Sequence, residues 1–234
     1  MSYNRSARFV LLTMAVTALT LGAGAGAGAS TKPTAASVLA AVKTAMSHES
    51  GVHISVTSSS ATTHSVATVD IGTKGGTETY VSGTSRVEIV VTPTSAYLSG
   101  NATGLTSLVG LTAKQQKLVG TKAIEMKVGT SPYASFKSNL TTSAFAAFLP
   151  TTKSITLSRD KAKNYVLTWS TAATGTAPAV TSSLTVSSGK KALPIKEVAS
   201  AKTGGGTTIF SKWGESVATP VPSSTIPYAT VSKA

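Results

Sequence analysis

The chain has 234 residues, with 21 Lys and Arg against 8 Asp and Glu, a net charge of +13, and no cysteine. That excludes a disulfide framework, a thiolate metal site, a cysteine nucleophile and a lipid-modified N-terminal cysteine, so the fold must hold by packing alone. Ser and Thr make up roughly three residues in ten, which favours strands and turns over long helices.

Arg5 and Arg8 precede a thirteen-residue uncharged run, Phe9 to Leu21, and then the small-residue string Gly22 to Ala29. A basic start, a short apolar run and Ala-x-Ala sites describe a secretory signal peptide, with cleavage expected after Ala27 or Ala29. The run is shorter than the ~20 apolar residues of a membrane span, and a Gly/Ala string continues a spanning helix poorly. The expected mature chain, residues 30–234, is one domain of ample length for a single core. It keeps 19 basic side chains against 8 acidic, net +11, because Arg5 and Arg8 are the only charges lost. Outside the cytoplasm such a charge meets anionic lipid headgroups or acidic wall polymers. The lysines are scattered singly, and no base-reading patch suggests nucleic acid.

Pro33 opens a segment with Val38, Ala41, Val42, Ala45 and Met46 at helical spacing, capped by Thr31 or Thr34 and ending near Gly51. From His53 to Gly100 the period becomes two, with Ile54/Val56, Val66/Thr68 against Val69/Ile71, Val87/Ile89/Val91 and Tyr97. Turns are expected at Gly72 to Thr77 and Ser82 to Ser85, and Pro93 marks an edge, a bulge or a strand end. Asn101 to Gly120 reads as two short helices and Ala123 to Val128 as a strand. Pro132 to Leu149 reads as one helix with Phe136, Leu140, Ala144, Phe145 and Phe148 on one face, stopped by Pro150. Strands are expected at Ser154 to Arg159, Asn164 to Thr171, Thr181 to Ser187, Ile195 to Ala201 and Thr207 to Trp213. The tail with Pro220, Pro222 and Pro227 should run extended along the domain.

Two stretches carry a family resemblance. Tyr97-Leu-Ser-Gly-Asn-Ala-Thr-Gly-Leu-Thr-Ser-Leu-Val-Gly-Leu-Thr-Ala-Lys-Gln-Gln-Lys-Leu-Val-Gly-Thr-Lys122 resembles the centre of the actinobacterial LppX/LprG lipoproteins. Thr208-Ile-Phe-Ser-Lys-Trp-Gly-Glu-Ser-Val217, with Pro220 beyond it, resembles their last strand and aromatic-Gly ending. The resemblance implies an α+β fold, a curved antiparallel half-barrel with helices covering its concave face, and an acyl lipid or glycolipid held between the two layers. Two departures stand out. The family's lipobox cysteine is absent, so a soluble mature protein, secreted or in the cell envelope and not lipid-anchored, is expected; and Ala123 stands where a Trp often follows the residue matching Lys122.

Aromatic residues make up 6% of the chain, and small residues dominate even the expected helical cover, which fills space poorly. A hollow lined by Ile54, Val56, Val87, Ile89 and Val91 from the sheet, closed by Leu105, Leu108, Leu111, Phe136, Phe145 and Phe148, is one reading and would be the ligand site; an ordinary closed core is the other. Lys114, Lys117, Lys122 and Lys137, near that cover, are candidates to meet an anionic headgroup.

Signals for catalysis are weak. His48, His53 and His64 form no spaced metal motif, no Gly-x-Ser-x-Gly elbow occurs, and Gly75-Gly76 and Gly204-Gly205-Gly206 read as loop or hairpin glycines. The eight carboxylates are isolated in sequence and read as solvated strand faces. Asn101-Ala-Thr103 and Asn139-Leu-Thr141 match the glycosylation triplet, which means little in a bacterium. The expectation is a monomeric, non-catalytic lipid binder without cofactor or metal. A passive secreted or wall-associated protein is the alternative.

Overall fold

A computed structural model describes residues 32–142, 149–150, 154–174 and 178–234. The expected leader, and Ala144, Phe145 and Phe148, lie outside these residues. Helix α1 (Ala35–Ser47) starts at Thr34, whose Oγ1 accepts from the Ser37 amide at 3.1 Å while Ser37 Oγ accepts from the Thr34 amide at 3.0 Å. A Ser at the third helical position thus closes the capping box. Val38, Leu39, Val42 and Met46 are its buried stripe; Leu39 joins it, whereas Ala41 faces solvent.

Five antiparallel strands follow: β1 (Gly51–Ser60), β2 (His64–Gly72), β3 (Gly76–Ser82), β4 (Ser85–Val91) and β5 (Ser95–Gly100). Short turns fix their register. Ser82 pairs with Ser85, which sets Tyr80 opposite Val87 and Glu78 opposite Ile89. His64, expected in a turn, opens β2, and Pro93 sits between β4 and β5 as a strand end. In β2, Ala67, Val69 and Ile71 face the core while Val66, Thr68 and Asp70 face outward, the alternation of a half-buried strand.

The central insert contains α2 (Ala102–Ser107) and α3 (Ala113–Val119), as expected, then β6 (Ala123–Lys127) and α4 (Ser131–Lys137). The long helix expected over Pro132 to Leu149 is interrupted. Helix α4 ends with Ser138 as its C-cap, and Thr141 makes an isolated bridge with Gly72. Ser138, Asn139, Thr141 and Thr142 explain the break, because short polar side chains compete for backbone hydrogen bonds. Ser138 Oγ donates to the Ser135 carbonyl at 2.9 Å.

The second meander comprises β7 (Thr156–Arg159), β8 (Tyr165–Thr171), β9 (Val180–Val186), β10 (Pro194–Ala201) and β11 (Gly204–Ser211). The triple glycine, read as loop or hairpin glycines, follows the β10–β11 hairpin turn and opens β11, pairing with Ser58 to Ser60 on one side and Ala199 to Ala201 on the other. The tail does more than run extended. It supplies β12 (Thr225–Pro227), parallel to β6, and the turn of helix α5 (Tyr228–Val231).

Among the described residues these strands form one curved, open sheet in the order β12-β6-β5-β4-β3-β2-β1-β11-β10-β9-β8-β7. The pairing of β1 with β11 joins the two meanders, and β12 and β7 are the free edges. The architecture is the α+β half-barrel expected from the sequence. One face and the stripes of α1 to α4 share a single apolar core that runs from β6 to β8.

Candidate ligand-binding face

The sequence-predicted sheet positions converge. Ile54, Val56, Val87, Ile89 and Val91 are all buried on the core face, because directly opposed residues of an antiparallel pair point to the same side. Leu105 and Leu111 are buried against them, while Leu108 and Phe136 are half-buried at the margin of the same core. Phe145 and Phe148 are the two predicted positions outside the described residues.

Specific polar contacts place the cover. Asn101 caps α2 by accepting from the Gly104 amide at 2.8 Å, also accepts from the Arg86 amide at 3.1 Å, and donates to the Thr84 carbonyl at 2.7 Å. One side chain thus binds the helix start to the β3–β4 hairpin. Gly104 lies so close to β4 that an added Cβ would overlap the Arg86 carbonyl oxygen. At the other end of β4, the Tyr133 hydroxyl of α4 donates to the carbonyls of Pro93 at 2.7 Å and Thr92 at 3.1 Å. Short helices are thereby fixed to the sheet by their ends.

The stretch after β11 locks the opposite corner. Trp213 Nε1 donates to the Pro194 carbonyl at 2.9 Å, its ring stacks on Phe210 with centroids 6.3 Å apart, and the Gly214 amide donates to Gly51 at 2.9 Å. Beside it, Lys191 Nζ donates to buried Glu49 Oε1 at 2.6 Å.

Reading every carboxylate as a solvated strand face fails at three positions, for Glu49, Glu78 and Glu197 are buried. Glu78 is 4% exposed and points from β3 into the core face between Val69 of β2 and Ile89 of β4. Among the described residues its Oε1 has no hydrogen-bond partner. Glu197, 6% exposed, occupies the same face on β10, opposite Thr208 and Leu184. Burial pushes both carboxyls up to about 7, since a charge loses its hydration there without a cation in exchange. The signal for Glu78 was present in the sequence. A two-residue turn at Gly83-Thr84 places it opposite Ile89, a residue already assigned to the core.

The outer face carries a different arrangement. His53 Nδ1 and Asp70 Oδ1 are 2.7 Å apart across β1 and β2, and Thr77 Oγ1 donates to Asp70 Oδ2 at 3.4 Å. No group of three or more His, Asp or Glu among the described residues is placed to hold a metal ion. No described helix is long and apolar enough to cross a membrane. Lys114, Lys117 and Lys122 are exposed on and just after α3, and Lys137 Nζ lies 5.5 Å from the Tyr133 ring centroid.

No family model matches the sequence, and no curated protein does. Among solved structures the chain is similar to LprF from Mycobacterium bovis, at 13% identity and a TM-score of 0.45, over 80% of this chain and 96% of that one. It is also similar to the Mycobacterium tuberculosis lipoprotein LppX, at 13% identity and a TM-score of 0.39, over 79% of this chain and 99% of that one. The second bears the name of the family that the central and C-terminal stretches resemble.

Proposed function

We propose that this protein is an exported, non-catalytic carrier that holds an acyl lipid or glycolipid between the concave sheet face and its helical cover. The observation that carries this reading is the core face itself. An unclosed sheet presents Val, Ile and Leu in register across many strands, and beyond α1 its cover is made of the short helices α2 to α4, of which α2 and α4 are fixed at their ends. Such a cover separates from a sheet at lower cost than a long, continuously packed helix would, and the surface it uncovers suits hydrocarbon. Each methylene buried there contributes about 0.8 kcal/mol.

In this reading the eleven predicted lining positions contact the chain. The exposed Lys114, Lys117 and Lys122 of the cover, with Lys137, meet an anionic headgroup or an anionic membrane surface. The leader over residues 1–29 delivers residues 30–234 to the envelope or beyond, where the protein works as a monomer.

The test is a native mass measurement on protein purified from its own host, followed by extraction with organic solvent. A carrier shows extra mass that disappears on denaturation and is recovered as lipid in the extract. Protein of bare polypeptide mass that takes up no lipid on incubation with vesicles overturns the reading and leaves a passive envelope protein.

A further inference from the structure

Resting on the carrier reading, we propose that Glu78 is a polar anchor inside the binding face, hydrogen-bonding to a hydroxyl or carbonyl oxygen carried part-way along an otherwise apolar ligand.

Position is the first argument. Ile54, Val69, Glu78, Ile89 and Leu98 form one row across five adjacent strands, each directly opposed to the next. Every member is buried, and Glu78 alone is polar. Along its own strand the neighbours on that face are Gly76 and Tyr80, both buried, so the carboxyl stands inside the buried face, two residues from the start of β3.

Cost is the second. An unpaired buried carboxyl oxygen loses hydration worth about 1–3 kcal/mol, whereas Leu or Met in this row would lose nothing. Glu78 Oε1 is such an oxygen. A ligand oxygen at this depth would satisfy it.

Chemistry is the third. No cation faces Glu78 from the paired strands: the core-facing residues of β2 are Ser65, Ala67, Val69 and Ile71, and those of β4 are Ser85, Val87, Ile89 and Val91. Below pH about 7 the group is therefore a neutral acid in the folded protein, with one O–H to donate and one carbonyl oxygen to accept. An alcohol satisfies both, and a mid-chain ketone oxygen accepts the O–H. A purely hydrocarbon chain satisfies neither, so the site discriminates between oxygenated and plain chains by the penalty of leaving a polar group unpaired.

Methyl stearate and methyl 12-hydroxystearate, equal in length and differing by one mid-chain hydroxyl, test this when titrated into lipid-stripped protein at pH about 5.5. The hydroxylated ester should bind about tenfold more tightly, as expected for one hydrogen bond. Glu78→Leu should bind both equally and methyl stearate at least as well as wild type; Glu78→Met serves if the Leu variant fails to fold. Wild-type protein that binds both esters without preference overturns the anchor and leaves the carrier intact. Protein that binds neither ester, nor lipid from vesicles, overturns the carrier reading and the anchor with it.

Discussion

The two meanders of the sheet use the same geometry for different surfaces. In β1 to β5 the Val and Ile of the core face are interrupted by Ser65, Glu78 and Ser85, and α2 and α4 are tied to that face by side-chain hydrogen bonds. In β9 to β11 the same face includes Ser182, Glu197 and Thr208, while Ile195, Val198 and Ile209 are exposed. Each half buries one carboxyl. Glu78 sits between two β-branched apolar residues, whereas Glu197 faces a hydroxyl-bearing neighbour, Thr208. The two buried acids thus sit in different surroundings, one between apolar side chains and one beside a hydroxyl.

The largest expected effect is on the pH dependence of stability. Both carboxyls titrate near 7 in the folded protein against 4.5 as the ordinary value, so between these pH values the folded state holds protons that the unfolded state has released. Stability is then full below pH about 4.5, falls as pH rises through the window, and reaches its floor above about 7. Each group contributes about 3 kcal/mol to that fall. Urea denaturation at pH 5 and pH 8 should show the loss, and Glu78→Gln or Glu197→Gln should each remove about half of it. A pH-independent midpoint would dismiss the reading of Glu78 and Glu197 as dry acids.

A smaller effect should come from the cover of the first half. Gly104→Ala must push α2 away from the Arg86 carbonyl, and a cost of about 3 kcal/mol is expected in thermal or urea unfolding. The displaced cover should also speed lipid exchange between protein and vesicles. The smallest effect is at the tie of the second half. Lys191→Met removes a side chain that is 65% exposed and should cost about 1 kcal/mol, through the loss of its bond to buried Glu49. Unchanged stability there would mark that corner as held by Trp213 and Gly214 alone.

Much of this was legible because period-two patterns and turn residues act locally. Ile54, Val56, Val87, Ile89 and Val91 announce a buried strand face, and Thr34 with Pro33 announces a helix start. What stayed hidden depends on distant pairing. Nothing in Gly204-Gly205-Gly206 extends the strand expected from Thr207 back to 204, because their role is to let β11 lie against Ser58 to Ser60. A Cβ on Gly204 would overlap the Ser59 carbonyl oxygen. Nothing near Ile226 reveals that the tail returns to β6 as a parallel strand. Glu197 looked solvated because its neighbours Lys196 and Val198 are exposed, and its own burial comes from the opposite side of the sheet.

The seam between the meanders also sets the order of events during folding. His53 of β1 is paired with Ser211, 158 residues later, so that ladder cannot form until almost the whole chain has left the ribosome. Until then β1 to β5 have only their own hairpins, and β1 keeps a bare row of amides and carbonyls open to any other strand. Closing so long a loop is slow. A chain that assembles its central ladder last keeps that edge of β1 open for most of its folding.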